Sequence, residues 1–236
     1  MAGQGYEVQR IVGPALDMRA DRLHLLTDKP NEQLQPYLDG TRAALTAAGV
    51  ELVVHECEVW DPNAVVGTMG EIARAEVDNH LYVNLGTGPK TCAIAATLAA
   101  MLWDFDAYYP RVDYTVTPAL EGDHPIKSVT FVPTFHLEPP GGDVLAVLEL
   151  LDERGGRPAR KKDVVERLRE RGFYGPGERS KQAEQNLADR ILKRAIEWGF
   201  VDSKGEGRAR RLSLNERGRA GRRMFAHLPV GPGREV

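Results

Sequence analysis

Short apolar runs alternate with helix-length segments through residues 1–135 of this chain. The runs at 22–27, 50–55 and 80–84 have the length of buried strands, and the segments 31–48, 63–77 and 89–103 have the apolar spacing or composition of helices. Strands separated by helices of this length pair in parallel through crossover connections. The pattern therefore predicts an α/β fold with a Rossmann-like, mostly parallel sheet.

The start of the chain departs from this pattern. A doubly wound domain normally opens with a strand, but residues 1–5 leave room only for the loop that follows one. We therefore expect the first strand to be missing and the N-terminus to be truncated relative to a complete domain. Gly3 and Gly5 would then be the remnant of the first strand-to-helix turn.

The net charge changes sign at a Pro/Gly stretch, residues 139–142. Residues 1–142 hold 9 Lys and Arg against 19 Asp and Glu, whereas residues 143–236 hold 22 against 15. The change predicts two domains, 1–138 and 143–236, joined by a linker at 139–142, with an anionic partner for the second. Basic helices that merely face solvent would give the same counts, so the positions of the charges are needed to distinguish the two interpretations.

The last strand before the apolar helix at 89–103 is followed by a turn rich in glycine. Gly86 and Gly88 allow a tight turn, Pro89 suits a first helical position, and Lys90 adds a charge near the free N–H groups of a helix start. The turn is not a Walker A loop, which needs glycine directly before the lysine. An ordinary strand-to-helix turn would also use glycine, so this composition alone leaves both interpretations open.

The string YVNLGTGPKTCAIAATLAAMLW, residues 82–103, resembles the signature of CARF (CRISPR-associated Rossmann fold) domains. In that family a strand ending in Asn precedes a Thr/Gly-rich turn, a Lys and a helix of small residues; Pro89 and one displaced Thr depart from it. The resemblance covers residues 1–135 and implies a homodimer that binds a cyclic oligoadenylate, a cyclic nucleotide effector, across its two-fold axis. The implied ligand-binding residues are Gly86, Thr87, Gly88, Lys90, Thr91, Gly3, Gln4 and Gly5.

Residues 143–236 resemble a winged helix-turn-helix domain, smaller than the first. Apolar stripes predict three helices, and the turn at 205–207 predicts a β-hairpin, or wing, followed by a closing helix. In such domains the third helix enters the major groove of double-stranded DNA, while the second helix and the wing contact phosphates. A winged helix used for protein contact is the alternative. The expected DNA-binding residues are Lys181, Gln182, Gln185, Asn186 and Arg190 on the third helix, Arg160, Lys161 and Lys162 on the second, and Arg208, Arg210 and Arg211 on the wing.

These features together predict a dimeric, ligand-responsive, DNA-binding transcriptional regulator rather than an enzyme. The six histidines show no metal-ligand spacing, and we expect no metal and no cofactor beyond the possible cyclic oligoadenylate effector. Arg222 and His227 fit the R-x4-H pattern of HEPN ribonucleases, which occur fused to CARF domains. A CARF-linked ribonuclease or ring nuclease is therefore the alternative function.

The sequence gives no sign of a membrane or secreted protein. The longest apolar run, residues 92–103, is shorter than the ~20 residues that span a bilayer. The N-terminus lacks the pattern of a signal peptide. The two cysteines show neither metal-ligand nor disulfide-framework spacing. We therefore expect a cytoplasmic protein with no membrane partner.

Overall fold

The computed structural model describes residues 1–29, 32–118, 123–175 and 180–231. The chain divides into two compact units, residues 1–138 and residues 139–236. Each unit has its own buried apolar core, which includes Leu25 and Met69 in the first and Leu145 and Ile191 in the second. No helix in the described ranges has both the length and the apolar character needed to cross a membrane.

The first unit is built on a six-stranded sheet. Its elements in chain order are β1 (Ala2–Gly3), α1 (Val8–Asp17), β2 (Arg22–Thr27), α2 (Gln35–Ala47), β3 (Glu51–Glu56), α3 (Pro62–Ala75), β4 (Tyr82–Asn84), α4 (Lys90–Trp103), β5 (Asp106–Val112) and β6 (Ile126–Val132). The strand order is β3-β2-β1-β4-β5-β6, and only the β5–β6 pair is antiparallel. Helix α1 packs against α2, and α3 against α4. The predicted mostly parallel, Rossmann-like sheet is confirmed.

The expectation that the first strand is missing is wrong. Ala2 and Gly3 form a strand in the middle of the sheet, with Ala2 opposite Leu25 on one side and Asn84 on the other. The Gln4 N–H donates to the Leu26 carbonyl at 2.7 Å and so continues the ladder. A strand of two residues is too short to show a pattern of its own, and its neighbours on both sides hold it in place. Gly3 therefore belongs to the strand and not to the turn.

Strand β1 begins later than its two neighbours, β2 and β4. A cavity of about 470 Å³ lies between these neighbours, beyond the amino end of β1. Buried polar side chains line this cavity. His24 is 2.9 Å from His55, between Nδ1 and Nε2, and its Nε2 is 3.1 Å from Glu76 Oε1. Glu76 also accepts hydrogen bonds from Arg22 and Asn79. The cluster joins the ends of β2, β3 and α3.

This cluster makes the stability of the first unit sensitive to acid. Burial lowers the pKa of His24 and of His55, and the charge of the neighbouring His55 ring lowers the pKa of His24 further. A lowered folded-state pKa means that the unfolded chain binds more protons below about pH 6.5, so folding stability is present above that pH and falls as the pH drops below it. We expect a lower melting temperature at pH 5 than at pH 7.5.

His55→Gln should reduce the pH dependence of the melting temperature. Burial also lowers the pKa of the Met1 amino group to about 5, which acts in the same direction, so the histidine variant isolates its own share. The matched control is His136→Gln, which changes an exposed histidine outside the cluster. A pH dependence that His55→Gln leaves unaltered would contradict the assignment.

The second unit has the order of elements of a winged helix. They are α5 (Gly142–Glu153), α6 (Lys161–Glu170), α7 (Lys181–Glu197), β7 (Val201–Lys204), β8 (Arg211–Leu214) and α8 (Glu216–Met224). Strands β7 and β8 pair antiparallel, and Ala159 adds a β-bridge to Leu212. Leu148, Leu168 and Leu192 are fully buried between the helices. Side chains cap two of the helices, because Ser180 accepts from Ala183 N and Asn215 from Gly218 N.

Candidate functional site

The strand order predicts a ligand-binding crevice at the carboxyl ends of β1 and β4. From β1 the chain moves outward to β2 and β3, then crosses to β4 on the other side of β1 and continues to β5. Ligands of open parallel sheets bind where two neighbouring strands send their connections in opposite directions. The loops that flank this point follow Gly3 and Asn84, and they are the two loops that contain the predicted ligand-binding residues.

The two loops are in direct contact. A Cβ on Gly5 would lie 3.2 Å from Gly88 N, and a Cβ on Gly3 would lie 2.8 Å from Cys92 Sγ. Gly88 has φ +75°, in the left-handed region that favours glycine. The structure therefore brings the predicted residues of both loops together. It also shows that close backbone packing is a reason for these glycines.

Asn84 fixes the shape of the second loop. Its side-chain Oδ1 accepts from Gly86 N at 2.8 Å, and its Nδ2 donates to the Arg10 carbonyl at 2.7 Å. A Cβ on Gly86 would lie 2.6 Å from Pro110 Cδ. Asn84, the last residue of β4, was not among the predicted site residues, although the resemblance included a strand ending in Asn.

Helix α4 begins one residue later than the sequence suggested. Pro89 has an extended ψ of 156° and occupies the N-cap position, so the first helical residue is Lys90. Pro89 offers no N–H, and the first free N–H groups of the helix belong to Lys90 and Thr91. The side chain of Lys90 is exposed. The helix start thus combines a partial positive charge with one full charge.

Three buried oxygen atoms beside these loops have no hydrogen-bond partner within the described ranges: Gln4 Oε1, Thr87 Oγ1 and Thr91 Oγ1. Gln4 and Thr87 are each only 5% exposed. Nearly all buried polar atoms in folded proteins are hydrogen-bonded, so three buried oxygens without a hydrogen bond at one place need an explanation. All three atoms belong to residues that the sequence predicted to bind ligand.

Arg10 is a cation at this loop that sequence reasoning missed. Its Nη1 donates to the Gly86 carbonyl at 3.1 Å, and its Nη2 donates to the Tyr114 hydroxyl at 3.1 Å. Its Nε forms an ion pair with Glu7 at 2.9 Å. No motif marks Arg10, because its partners lie far along the chain. The described residues of the crevice therefore include two cations, Arg10 and Lys90.

Helix α4 also carries an apolar face that its own unit leaves uncovered. Ile94 is 62% exposed and Leu98 is 38% exposed, while the adjacent Ala95 and Ala99 are buried. Residues four apart lie on one side of a helix, so Ile94 and Leu98 form a continuous apolar stripe. The stripe begins one turn after Lys90.

In the second unit, α7 has a polar face that points to solvent. Lys181, Gln182, Gln185, Asn186 and Arg190 are all exposed. Gln182 Nε2 donates to Asn186 Oδ1 at 2.9 Å. The structure therefore gathers the five residues predicted for the third helix on one exposed surface. Their amide and cationic groups are the types that contact base edges and phosphates.

The cationic residues expected at the start of the second helix differ in their contacts. Arg160 is the N-cap residue of α6, and its side chain and that of Lys162 are exposed. Lys161 instead forms an ion pair with Asp189 of α7, with Nζ and Oδ2 2.6 Å apart. Asp189 was not a predicted site residue.

Two arginines of the wing, Arg210 and Arg211, are only half exposed. Arg210 Nε donates to Ser203 Oγ at 2.8 Å, and Arg211 Nη1 donates to the Ala209 carbonyl at 2.9 Å. The side chain of Arg208 lies outside the described part of the structure. Both described arginines are thus held against the hairpin in the free protein.

The R-x4-H residues do not form an open catalytic pair. His227 is 7% exposed, and Arg222 lies near Glu149 of α5, with Nη2 and Oε1 3.7 Å apart. Arg222 is in the last turn of α8, which follows the wing. Nowhere in the described ranges do three or more His, Cys, Asp or Glu side chains cluster so as to hold a metal ion.

Two family models match the chain, one in each unit. Residues 1–115 match the model described as "HFX_2341_N:-like, N-terminal", and residues 143–226 match the DUF6293 C-terminal winged helix domain. The predicted fold class, a Rossmann-like mostly parallel sheet followed by a winged helix domain, is confirmed. No curated protein matches the chain.

Several solved structures are similar to the chain. Csm6 of Enterococcus italicus, bound to cyclic hexa-2'-fluoro-hexa-dAMP, has 9% identity and a TM-score of 0.40, over 84% of this chain and 55% of that one. Can2 of Sulfobacillus thermosulfidooxidans, in complex with cyclic tetra-adenylate, has 11% identity and a TM-score of 0.42, over 95% and 61%. VC1899 of Vibrio cholerae has 14% identity and a TM-score of 0.40, over 96% and 63%. The chain spans less than two thirds of each of these proteins.

Proposed function

We propose that this chain, which carries a C-terminal winged helix domain, is a dimeric, ligand-responsive transcriptional regulator that binds double-stranded DNA. The observation that carries the proposal is the exposed face of α7, where amide and cationic side chains stand on the third helix of a winged helix. Residues 143–236 hold 22 Lys and Arg against 15 Asp and Glu, which favours a polyanionic partner over a protein one.

The test of DNA binding is a gel shift on the protein's own promoter at two salt concentrations. If a dimer neutralises about six to ten phosphates, the logarithm of its affinity should fall against the logarithm of the salt concentration with a slope of about −5 to −9. A protein that ignores duplex DNA at low salt would refute the proposal.

The proposed effector is a nucleotide that carries phosphates, and a cyclic oligoadenylate is the specific candidate. Its support is the resemblance of residues 82–103 to the CARF signature, together with the crevice at β1 and β4. The start of α4 and the exposed Lys90 favour an anion there. The buried, unpartnered oxygens of Gln4, Thr87 and Thr91 add unmet hydrogen-bonding capacity beside these loops. The effector changes DNA binding only if the two DNA-binding states differ in affinity for it.

Lys90→Ala should abolish the response to the effector while leaving DNA binding without effector unchanged. A hydrogen bond to a charged group contributes about 1.5–3 kcal/mol, so we expect about 10-fold or greater loss of affinity for cyclic tetra-adenylate. Calorimetry gives that affinity, and the promoter gel shift with and without cyclic tetra-adenylate gives the response. The control is Lys127→Ala, because Lys127 is an exposed lysine on β6, two strands away from β4 in the sheet. Equal losses of affinity for cyclic tetra-adenylate in the two variants would contradict the proposal that Lys90 contacts the effector.

The dimer that we propose is formed by the apolar face of α4. Burying an Ile side chain contributes about 1.5–3 kcal/mol, and a two-fold interface buries each residue twice. Ile94→Asp should therefore convert the dimer to a monomer at micromolar concentration, as measured by light scattering after size exclusion. Val77→Asp is the control, since Val77 is 78% exposed and lies outside this face. If Ile94→Asp keeps the mass of the wild type, the interface lies elsewhere.

A nuclease is the alternative function, and no contact in the described residues favours it. The burial of His227 and the position of Arg222 beside Glu149 leave no open pair for attack on RNA. Slow cleavage of a bound cyclic nucleotide beside Lys90 would be compatible with the regulator proposed here. Product analysis after incubation with cyclic tetra-adenylate distinguishes these cases.

A further inference from the structure

One ion pair joins the two helices of the helix-turn-helix on the side that we propose faces DNA. Lys161 Nζ at the start of α6 lies 2.6 Å from Asp189 Oδ2 in the middle of α7, and the two side chains are 30% and 49% exposed. The start of the second helix is where helix-turn-helix proteins contact the phosphate backbone. Lys161 is thus already paired with a carboxylate, and it would otherwise attract a DNA phosphate.

Asp189 differs from the other two acidic residues of α7. Glu184 is only 12% exposed and pairs at 2.6 Å with Arg169, which is 57% exposed, in a second contact that joins α6 and α7. Glu197 stands at the last position of the helix and pairs with Lys193 at 3.7 Å. Of the three, only Asp189 lies between Asn186 and Arg190, on the face expected to meet DNA.

A carboxylate at this place opposes DNA binding in two ways. It repels phosphates, and it neutralises Lys161, one of the residues expected to contact them. It adds little to folding stability, because partly exposed ion pairs contribute about 0–1 kcal/mol. Neither packing nor stability therefore accounts for its position, whereas control of the affinity for DNA does.

We propose that Asp189 is an internal competitor for DNA phosphate, which holds Lys161 in the free protein and keeps the affinity for arbitrary DNA low. A duplex that brings a phosphate close to the start of α6 exchanges one anionic partner of Lys161 for another. A DNA sequence that places a phosphate there gains a contact with Lys161, whereas a poorly fitting sequence does not. Asp189 thereby widens the difference between specific and non-specific binding. The inference rests on the DNA binding proposed above.

The experiment is a double-mutant cycle on the full chain, with a random-sequence duplex as the probe. Asp189→Asn should bind that duplex about three- to tenfold more tightly at low salt, with a salt slope steeper by about 0.9 for each freed lysine. Lys161→Gln should weaken binding to the random duplex less in the wild-type background than in the Asp189→Asn background, because Asp189 holds the lysine only in the wild type. The double variant should lose most of the gain.

The control is Glu197→Gln, which removes the same charge from the same helix at its far end. If it matches Asp189→Asn, net charge explains the gain and the inference is overturned. Weaker binding by Asp189→Asn, or additive effects of the two substitutions, would also overturn it. Failure of the wild type to bind any duplex would instead refute the proposed function. Thermal melts of each variant show that the fold is retained.

Discussion

Asn186→Ala is expected to weaken binding to the protein's own operator by about 10-fold or more while leaving its affinity for random duplex within about twofold. An amide side chain can bond two atoms of an adenine edge, and such a pair contributes about 1–3 kcal/mol of discrimination. A dimer presents Asn186 twice. The substitution removes no charge, so the phosphate contacts that dominate non-specific binding remain.

Arg210→Ala on the wing is the comparison variant for this prediction. Arg210 is half exposed beside Ser203, where a phosphate contact would be independent of sequence. We expect that variant to weaken binding to operator and random duplex alike, and to make the salt slope shallower by about one. Titrations of both variants on both duplexes by fluorescence anisotropy separate the two roles. Equal losses on the two duplexes for Asn186→Ala would show that α7 does not read bases there.

Local patterns in the sequence predicted most of the fold. The alternation of apolar runs and helices was sufficient for β2, β3 and β4, because each lies within an apolar run that is visible in the sequence. It failed at β1, since Ala2 and Gly3 owe their place to the strands on either side and not to their own propensity. The start of α4 was displaced by one residue because the ψ of Pro89 is set by the loop and is not fixed by the proline ring.

The candidate sites divide in the same way. The turn from Gly86 to Thr91 could be found because its residues are adjacent in sequence. Arg10 and Asp189 could not be found, because their contacts join residues 76 positions apart, at Gly86, and 28 positions apart, at Lys161. A cation or carboxylate within a helix has many possible partners, and only the packing of the elements selects one. Such contacts decide the electrostatics of both proposed sites.

The packing of α8 on the wing predicts the largest effect on stability. Gly218 lies in the first turn of α8, and a Cβ there would stand 2.2 Å from the Phe200 carbonyl oxygen and 2.5 Å from Leu214 Cδ1. Of the two obstacles, the carbonyl is backbone that leads into β7, so it cannot move without shifting the hairpin. Gly218→Ala should therefore destabilise the second unit by about 3 kcal/mol or more, as overpacking does at its upper end.

Gly221→Ala is the matched control on the same helix. Its Cβ would first meet Phe200 Cε1 at 3.2 Å, a ring atom that can shift by a few tenths of an ångström. Because alanine also favours helix over glycine by about 1 kcal/mol, we expect a net change of less than about 1 kcal/mol. For a unit of this size Gly218→Ala then corresponds to a melting temperature about 10–20 °C lower, and Gly221→Ala to a few degrees at most. Calorimetry of the full-length variants measures both, and equal shifts would mean that α8 does not pack on the hairpin as described. Since α8 and β7 are joined through Phe200, the same substitution should also remove DNA binding at temperatures where Gly221→Ala still binds.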